Sequence, residues 1–464
     1  MKNFAHLHVH TDHSFLDSCI KIPDLIARAQ NLEMPAIAIT DHGNLCGAIK
    51  FYNEAKRNGI KPIIGLEAYF VKQYSQSKHQ KNQIYHQTLI AQNYEGFLNL
   101  SKLTSESHSR GFFRRPCIDF ETLAKYSKGI IALSGYINGI ISQYLLYSDY
   151  ENAREATAKF VDIFGRDNYF IELQNHGFAE EKKICPGLVK LAKEFGLKMV
   201  ATNDCYYLSK EDATAHDNML CIATAICISD EDRLRYPNDE FYLKTREEME
   251  RTFPNSSDIL DNTLLVSEMC DLQIKMKESH NPKTKCTIDI TSDADKAELD
   301  RIINLPDPSD FEIDVCVRQR GSTIEYLKAK YGEISIANII AFRKFSLKQA
   351  FKDVARVNGL PFERRIELAE NIPNAEDMSL DKVCAMSPKF RAEVDNDKII
   401  KQVFEVAKKL EGAIRQTGNH DDKFIITKQN NPVPTMIQNG SLTTQFPVAS
   451  LEDLGVLRLN FVES

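Results

Sequence analysis

Between Asn3 and about Lys275 the chain alternates short apolar runs with amphipathic stretches. The runs "AIAIT", "KPIIGLEAYF", "GIIALS", "NYFIEL" and "KMVATND" read as strands. The segments "IPDLIARAQNLEM", "GAIKFYNEAKRNG" and "PGLVKLAKEFG", apolar every three or four residues, read as helices. Strands and helices that take turns in this way predict parallel β-α units, hence a barrel or a doubly wound sheet. The polar, turn-rich stretch Lys277 to Glu298 marks a boundary. Beyond it "STIEYLKAKYG" and "LKQAFKDVARVNGLP" predict helices, each stopped by Gly or Pro, and from Asn430 the pattern is turn-rich and short-stranded.

Composition narrows the function classes. The chain has 464 residues, 43% hydrophobic and 27% charged, enough for a globular protein of two to four domains. Its formal net charge of -7 provides no global positive field, so a nucleic-acid role has to rest on local basic patches. Eleven cysteines without a CxxC pair, and an N-terminus without a basic stretch and apolar run, lead us to expect a reducing cytoplasm. The longest uncharged stretch, "GIIALSGYINGIISQYLLYS", carries Asn, Gln, Ser and Gly and predicts a buried strand, turn and helix rather than a membrane span. Neither GxGxxG nor GxxxxGK[ST] occurs, which argues against a glycine-rich phosphate loop.

The candidate chemistry starts at "HLHVHTDHS". On a regular strand His6, His8 and His10 would project to one face. Alone that pattern is weak, because a polar strand end or a hydrogen-bonded core histidine produces it equally well. The next two strands, however, also end in ligand types: Asp41 and His42 after "AIAIT", and Glu67 in "IIGLEAY". In a parallel barrel the C-terminal strand ends converge on one rim. Asp17, His108 and Asp204, the last ending "VATND", extend the set. Mixed imidazole and carboxylate donors suit zinc, manganese or iron, and such a site lowers the pKa of bound water to ~7. Phosphoester hydrolysis is the reaction class that follows; a merely polar rim is the alternative.

"HLHVHTDHSFLDS", "MPAIAITDHGNLCGAIKFYNEAKRNGIKPIIGLEAYF", "VATNDCYYLSKEDATAHDNMLCI" and "EFYLKTREEM" closely resemble the polymerase and histidinol phosphatase (PHP) domain of bacterial DNA polymerase III alpha subunits, the C-family replicative polymerases. "LPDPSDFEIDVCVRQRGSTIEYLKAKYG", "AKKLEGAIRQTGNHDDKFIIT" and "TTQFPVASLEDLGVLRLNF" resemble that family's palm, more raggedly. The resemblance implies an α/β fold: a distorted TIM-like (β/α) barrel over residues 1–275, a linker over 276–305, and a smaller α+β remnant of a palm over 306–464. It implies metal ligands at His8, His10, Asp17, His42, Glu67, His108 and Asp204, for Zn2+ or Mn2+. Two further ligand positions carry Tyr136 and Tyr206 instead of the family's cysteine and histidine, and a phenol, with its pKa of ~10, is a poor zinc ligand.

Departures are larger in the second half. The family's three palm carboxylates, which hold Mg2+, correspond to Glu312, Asp314 and Asn460, and a neutral amide at the third position supplies no charge to a metal. Only thirty residues separate Lys275 from Pro306, where the family has a longer region with a nucleotide-binding segment. The fingers, clamp-binding and OB regions of the family are expected to be missing. The resemblance therefore implies a DNA polymerase III alpha-like role in bacterial DNA replication, with DNA and other replisome subunits as partners, no membrane, and template-directed synthesis absent or very weak. One alternative is a stand-alone metal-dependent phosphoesterase or 3'-5' exonuclease; another is a non-catalytic scaffold for a proofreading exonuclease subunit. Among other candidates, Arg114 and Arg115 in "GFFRRP" could grip phosphate or sit in a solvated loop, and His176 could simply hydrogen-bond a neighbour. Arg415 matches a palm arginine beside repelling acids, and Cys205 should face away from Asp204 on a regular strand.

Overall fold

The computed structural model describes residues 4–74, 83–277, 284–305, 310–332, 336–373, 380–426 and 433–463. Its first sheet holds β1 (Ala36–Ile39), β2 (Lys61–Phe70), β3 (Tyr85–Ala91), β4 (Phe112–Phe113), β5 (Arg115–Ile118), β6 (Ile130–Leu133), β7 (Tyr169–Leu173) and β8 (Met199–Ala201). The order is β4-β5-β2-β3-β6-β7-β8, with β1 beside β2. Pairs β1–β2, β6–β7 and β7–β8 are parallel, as the alternating pattern predicts, but β3 runs antiparallel to both β2 and β6.

The N-terminal segment closes the ring. On one side the amides of Ala38 and Thr40 donate to the carbonyls of His6 and Val9; on the other, the His10 amide donates to Cys205 and the Cys205 amide to His8. The result is a distorted (β/α) barrel, in line with the expected fold class. Its strands are buried on both faces because alternate residues serve two cores. Ala36, Ala38, Ile63, Ile90, Ile131, Leu133 and Phe170 fill the interior, whereas Ile37, Ile39, Ile64, Leu89, Ala132 and Ile171 pack outward with helix residues such as Leu25, Ile49 and Leu188. That parity matters for the site. Glu67, His86 and Glu172 each stand an even number of residues from Ile63, Ile90 and Phe170, so they continue the inner face at its rim.

A second sheet has the order β13-β14-β11-β12-β15-β10-β9, with β9 (Thr284–Ile288), β10 (Phe311–Cys316), β11 (Ile336–Lys344), β12 (Ile414–Ile426), β13 (Thr435–Gln438), β14 (Ser441–Pro447) and β15 (Arg458–Val462). The stretch 276–305, expected as a linker, instead contributes β9 and the helix Asp293–Ile303. β9 pairs in parallel with β10, and Leu299, Ile302 and Ile303 of the helix bury against Ile313, Val315 and Leu459. The expected linker residues 278–283 lie outside the described residues. The two units share one core: Ala337, Ile339, Ile425, Phe446 and Leu451 join the barrel's outer cluster.

Candidate metal centre

Four side chains from three parts of the chain meet at the barrel rim. His8 and His10 come from the closing segment, Glu67 from β2 and Asp204 from the loop after β8; their ligand atoms all lie within 4.8 Å of one another and all four are buried. His10 Nε2 is 2.9 Å from Glu67 Oε2 and 3.2 Å from Asp204 Oδ1, and His8 Nε2 is 3.2 and 3.4 Å from the same two oxygens. A second group, His42, Glu67 and His86, shares the Glu67 carboxylate: His42 Nδ1 lies 3.2 Å from Oε2 and His86 Nδ1 2.5 Å from Oε1. Asp17 Oδ2 sits 3.0 Å from His42 Nε2, on the solvent side.

Neighbours orient these ligands. Glu172 Oε1 holds His8 Nδ1 at 2.8 Å and is itself held by the Thr202 hydroxyl, which turns His8 Nε2 toward the cluster. Ser14 holds His10 Nδ1 at 3.1 Å and donates to Asp41, whose other oxygen accepts from Thr11. Asp41, a strand-end carboxylate, thus braces the site from behind.

The donor set fits a divalent cation. His10 Nε2, His42 Nδ1 and Asp204 Oδ1 are fully buried and lack hydrogen-bond partners, although oppositely charged atoms lie within about 3.2 Å. Buried ligand atoms left without hydrogen bonds are what a cation would satisfy. The electrostatics agree. Burial alone lowers a histidine pKa, but Asp204 and Glu67 outweigh it and raise His10 to about 9, and Glu172, Asp204 and Glu67 hold His8 well above its ordinary value. Burial likewise pushes the Glu67 carboxyl up, yet His42, His86 and His8 bring it well below the ordinary range.

The other candidates fall out differently. His6 does not join the cluster: its Nε2 meets the Lys244 carbonyl at 2.9 Å, its ring packs on Phe4, and burial lowers its pKa to about 4. The strict alternation that placed three histidines together breaks between Leu7 and His8. Leu7 lies in the interior core and Val9 in the outer one, which lets His8 and His10 face inward and leaves His6 behind. His108 is outside the two groups; its Nε2 lies 3.2 Å from the Gly43 carbonyl, and its Nδ1 is buried without a hydrogen-bond partner, on the cavity that Asp17 and His42 also line. His176 is held by Glu181 and the Asn203 carbonyl, and stacks on Phe241 at 4.1 Å. Cys205 turns to the Tyr242 carbonyl, and Arg415 pairs with Asp353. Tyr206 stacks on His10 at 4.5 Å with its hydroxyl 3.4 Å from His42 Nε2, and Tyr136 lies 3.5 Å from His86 Nδ1; burial raises both phenols well above their ordinary pKa. They cap the rim as neutral groups. His86 and Glu172 escaped the sequence analysis; the polar run "HQT" in "YHQTLIA" leaves no apolar alternation to signal the first.

In the second sheet, parallel pairing sets Asp314 beside Asn460 and Glu312 beside Arg458. The Asn460 amide donates to Glu312 Oε1 at 2.9 Å and Asp314 Oδ1 at 3.0 Å, while Lys285 Nζ sits 2.8 Å from Asp314 Oδ2. The two carboxylates are thus engaged by an amide and an ammonium.

The barrel with this rim and the sheet with the strand-carried carboxylate pair each match a domain family. The PHP domain family matches residues 6–176, and the bacterial DNA polymerase III alpha NTPase domain matches residues 304–462. Over 99% of its length the chain is similar to proteins named DNA polymerase III subunit alpha. It is 34% identical to that of Borreliella burgdorferi, 30% to that of Treponema pallidum and 29% to that of Thermus aquaticus, covering 48%, 47% and 50% of them. The chain is thus similar to the bacterial DNA polymerase III alpha subunits and spans about half the length of those it matches. The first alignment runs over 554 positions against 464 residues, so the relatives carry segments with no counterpart here. Among the described residues no helix is long and apolar enough to cross a membrane.

Proposed function

We propose that this chain is an alpha-subunit-like replication protein whose surviving chemistry is metal-dependent phosphoester hydrolysis in the barrel, and that its second sheet supports no template-directed synthesis. The observation that carries this reading is the convergence of His8, His10, Glu67 and Asp204 within 4.8 Å, with Glu67 shared by His42 and His86. Divalent cations there, Zn2+ or Mn2+ by donor type, would supply Lewis acidity and neutralise charge on a phosphoryl group. The chain's own residues do the rest. Glu172 and Ser14 fix the two imidazoles, Glu67 bridges the two groups, and Asp17, partly exposed beside His42, is placed to orient water entering from solvent. In the second sheet the Asn460 amide and Lys285 take up the carboxylate oxygens that Mg2+ would need. DNA and replisome subunits, a proofreading exonuclease among them, and a cytoplasmic location accompany this reading.

The test compares bound metal and hydrolysis of bis-p-nitrophenyl phosphate and of single-stranded oligonucleotide in wild type and the His8→Ala, His10→Ala double variant. Loss of metal and a drop of ~100-fold or more are expected; equal values in both proteins would remove the hydrolytic reading. Primer extension by the wild type should be absent, and robust extension abolished by Asp314→Ala would reverse the second part.

A further inference from the structure

The four ligands that meet within 4.8 Å are all buried, so a cation or a substrate reaches them only if something at the rim moves. Three phenols crowd that rim, and two of them are fixed. Tyr136 follows β6, and its hydroxyl accepts from the Asn138 amide at 2.8 Å. Tyr206 comes two residues after Asp204; its amide donates to the Phe241 carbonyl and its carbonyl accepts from the Ser18 hydroxyl. The third, Tyr236, belongs to residues 226–240, fifteen residues that contain neither helix nor strand. A connection of that length without structure of its own is uncommon in a compact unit and is usually functional.

Four holds keep this strap down. Its start is rooted in the second unit: the Ile228 amide donates to the Val357 carbonyl at 2.8 Å, and the Ile228 side chain packs in a cluster with Phe345, Val354 and Val357. Further along, Arg233 grips both carboxylate oxygens of Asp217 on the helix Ala213–Thr224, Nη2 to Oδ2 at 2.8 Å, while its Nε returns to the Ile228 carbonyl at 3.1 Å. Tyr236 then lays its ring 5.1 Å from Tyr206, 4.9 Å from His216 and 4.5 Å from Phe241. Tyr206 itself stacks on His10, so the strap reaches the cluster through a single ring. Burial first, and then the carboxylates of Asp17 and Asp204, raise the Tyr236 phenol well above its ordinary pKa, as befits a hydroxyl turned toward the rim. The last hold is the Asn238 amide, which donates to the His176 carbonyl at 2.7 Å. Among the described residues no backbone-to-backbone hydrogen bond ties 229–240 to the barrel. Lifting the strap therefore breaks side-chain holds alone, a local opening that costs far less than unfolding.

We propose that residues 226–240 are a hinged gate over the metal centre, rooted in the second unit, latched by Arg233 on Asp217 and closed by Tyr236. Tyr236 is thus the residue that decides when the cluster is open to solvent. The gate rests on the metal-centre reading and adds what controls entry to it. It also gives the second unit a part in the barrel's chemistry, since the hinge sits against Val357.

The experiment loads the full chain with Mn2+ and follows release into excess chelator by stopped flow. Asp217→Asn, which removes the charge from the latch, and Tyr236→Ala, which removes the closing ring, should each release Mn2+ ~10-fold or more faster. Stoichiometry and affinity should match wild type, because a gate speeds entry and exit together. Tyr236→Phe keeps the ring and should release as slowly as wild type. A second readout needs no metal: in chelator-treated protein, diethyl pyrocarbonate should modify His42 faster in Asp217→Asn and Tyr236→Ala than in wild type, scored by peptide mass. Release and labelling at wild-type rates in both variants overturn the gate. Faster release matched by an equal loss of affinity overturns it too, since the strap then acts on the bound cation rather than on its path. If wild type binds no Mn2+, the metal-centre reading falls and the labelling rates alone decide the gate.

Discussion

His10 shows what the rim demands of a single residue. Its pKa of about 9 exceeds the ordinary 6.5, so in the metal-free protein its contribution to stability is complete below pH ~6.5 and is lost as pH rises through about 9. His8 shifts in the same direction. Glu67 and Asp204, both lowered, contribute above their unfolded values and lose that contribution in acid. Metal-free protein should therefore lose stability steadily from pH 6.5 to 9. A bound cation requires unprotonated imidazoles, so metal affinity should rise over the same interval and binding should release protons. Urea midpoints at pH 6.5, 7.5 and 9 with chelator and with Mn2+ should diverge, and calorimetry in buffers of different ionisation enthalpy should show the released protons. Parallel pH curves would mean that His8 and His10 do not hold the cation.

Paired strands decide the fate of the palm-like carboxylates. The β10–β15 register sets Asp314 against Asn460, and the amide's two donated bonds keep Glu312 and Asp314 together. Asn460→Asp would replace two attractions with a third negative charge, and a loss of about 1–3 kcal/mol is expected from chemical denaturation in chelator. Equal or greater stability would show that the amide bridges nothing. The same scale explains what the sequence revealed. β1, β2, β6, β7 and β8 were legible because burial on both faces writes a continuous apolar run. β9 was not, since its outer positions are exposed and "TKCTI" reads as polar turn. β3 hid behind polar residues in "YHQTLIA", and His86 went with it. Glu67, His42 and Asp204 were legible as ligand types at strand ends. His6 was misplaced because alternation assumes an unbroken strand, and the closing segment makes one bridge, at Val9.

Across the whole molecule, the second unit props the metal centre through one buried side chain. Gln445 of β14 accepts the Leu45 amide at 2.7 Å and donates to the Thr104 hydroxyl at 2.9 Å; Thr104 donates in turn to the Gly43 carbonyl, which His108 also meets. These bonds clamp the loop that begins at His42, and His108 Nε2 meets the same Gly43 carbonyl. Gly43 itself has φ +64°, and a Cβ there would lie 3.2 Å from Tyr69 and Pro116, so the loop has one tight conformation to keep. Gln445→Ala should leave the Leu45 amide unpaired, at a cost of about 1–3 kcal/mol. It should also weaken Mn2+ binding by ~10-fold, although Gln445 lies in another unit and has no ligand atom near the cluster. If the effect passes through His42, Gln445→Ala added to His42→Ala should change affinity little further. Unchanged Mn2+ affinity in the single variant would show that the barrel keeps its rim without help, and that the shared core joins the units without coupling them.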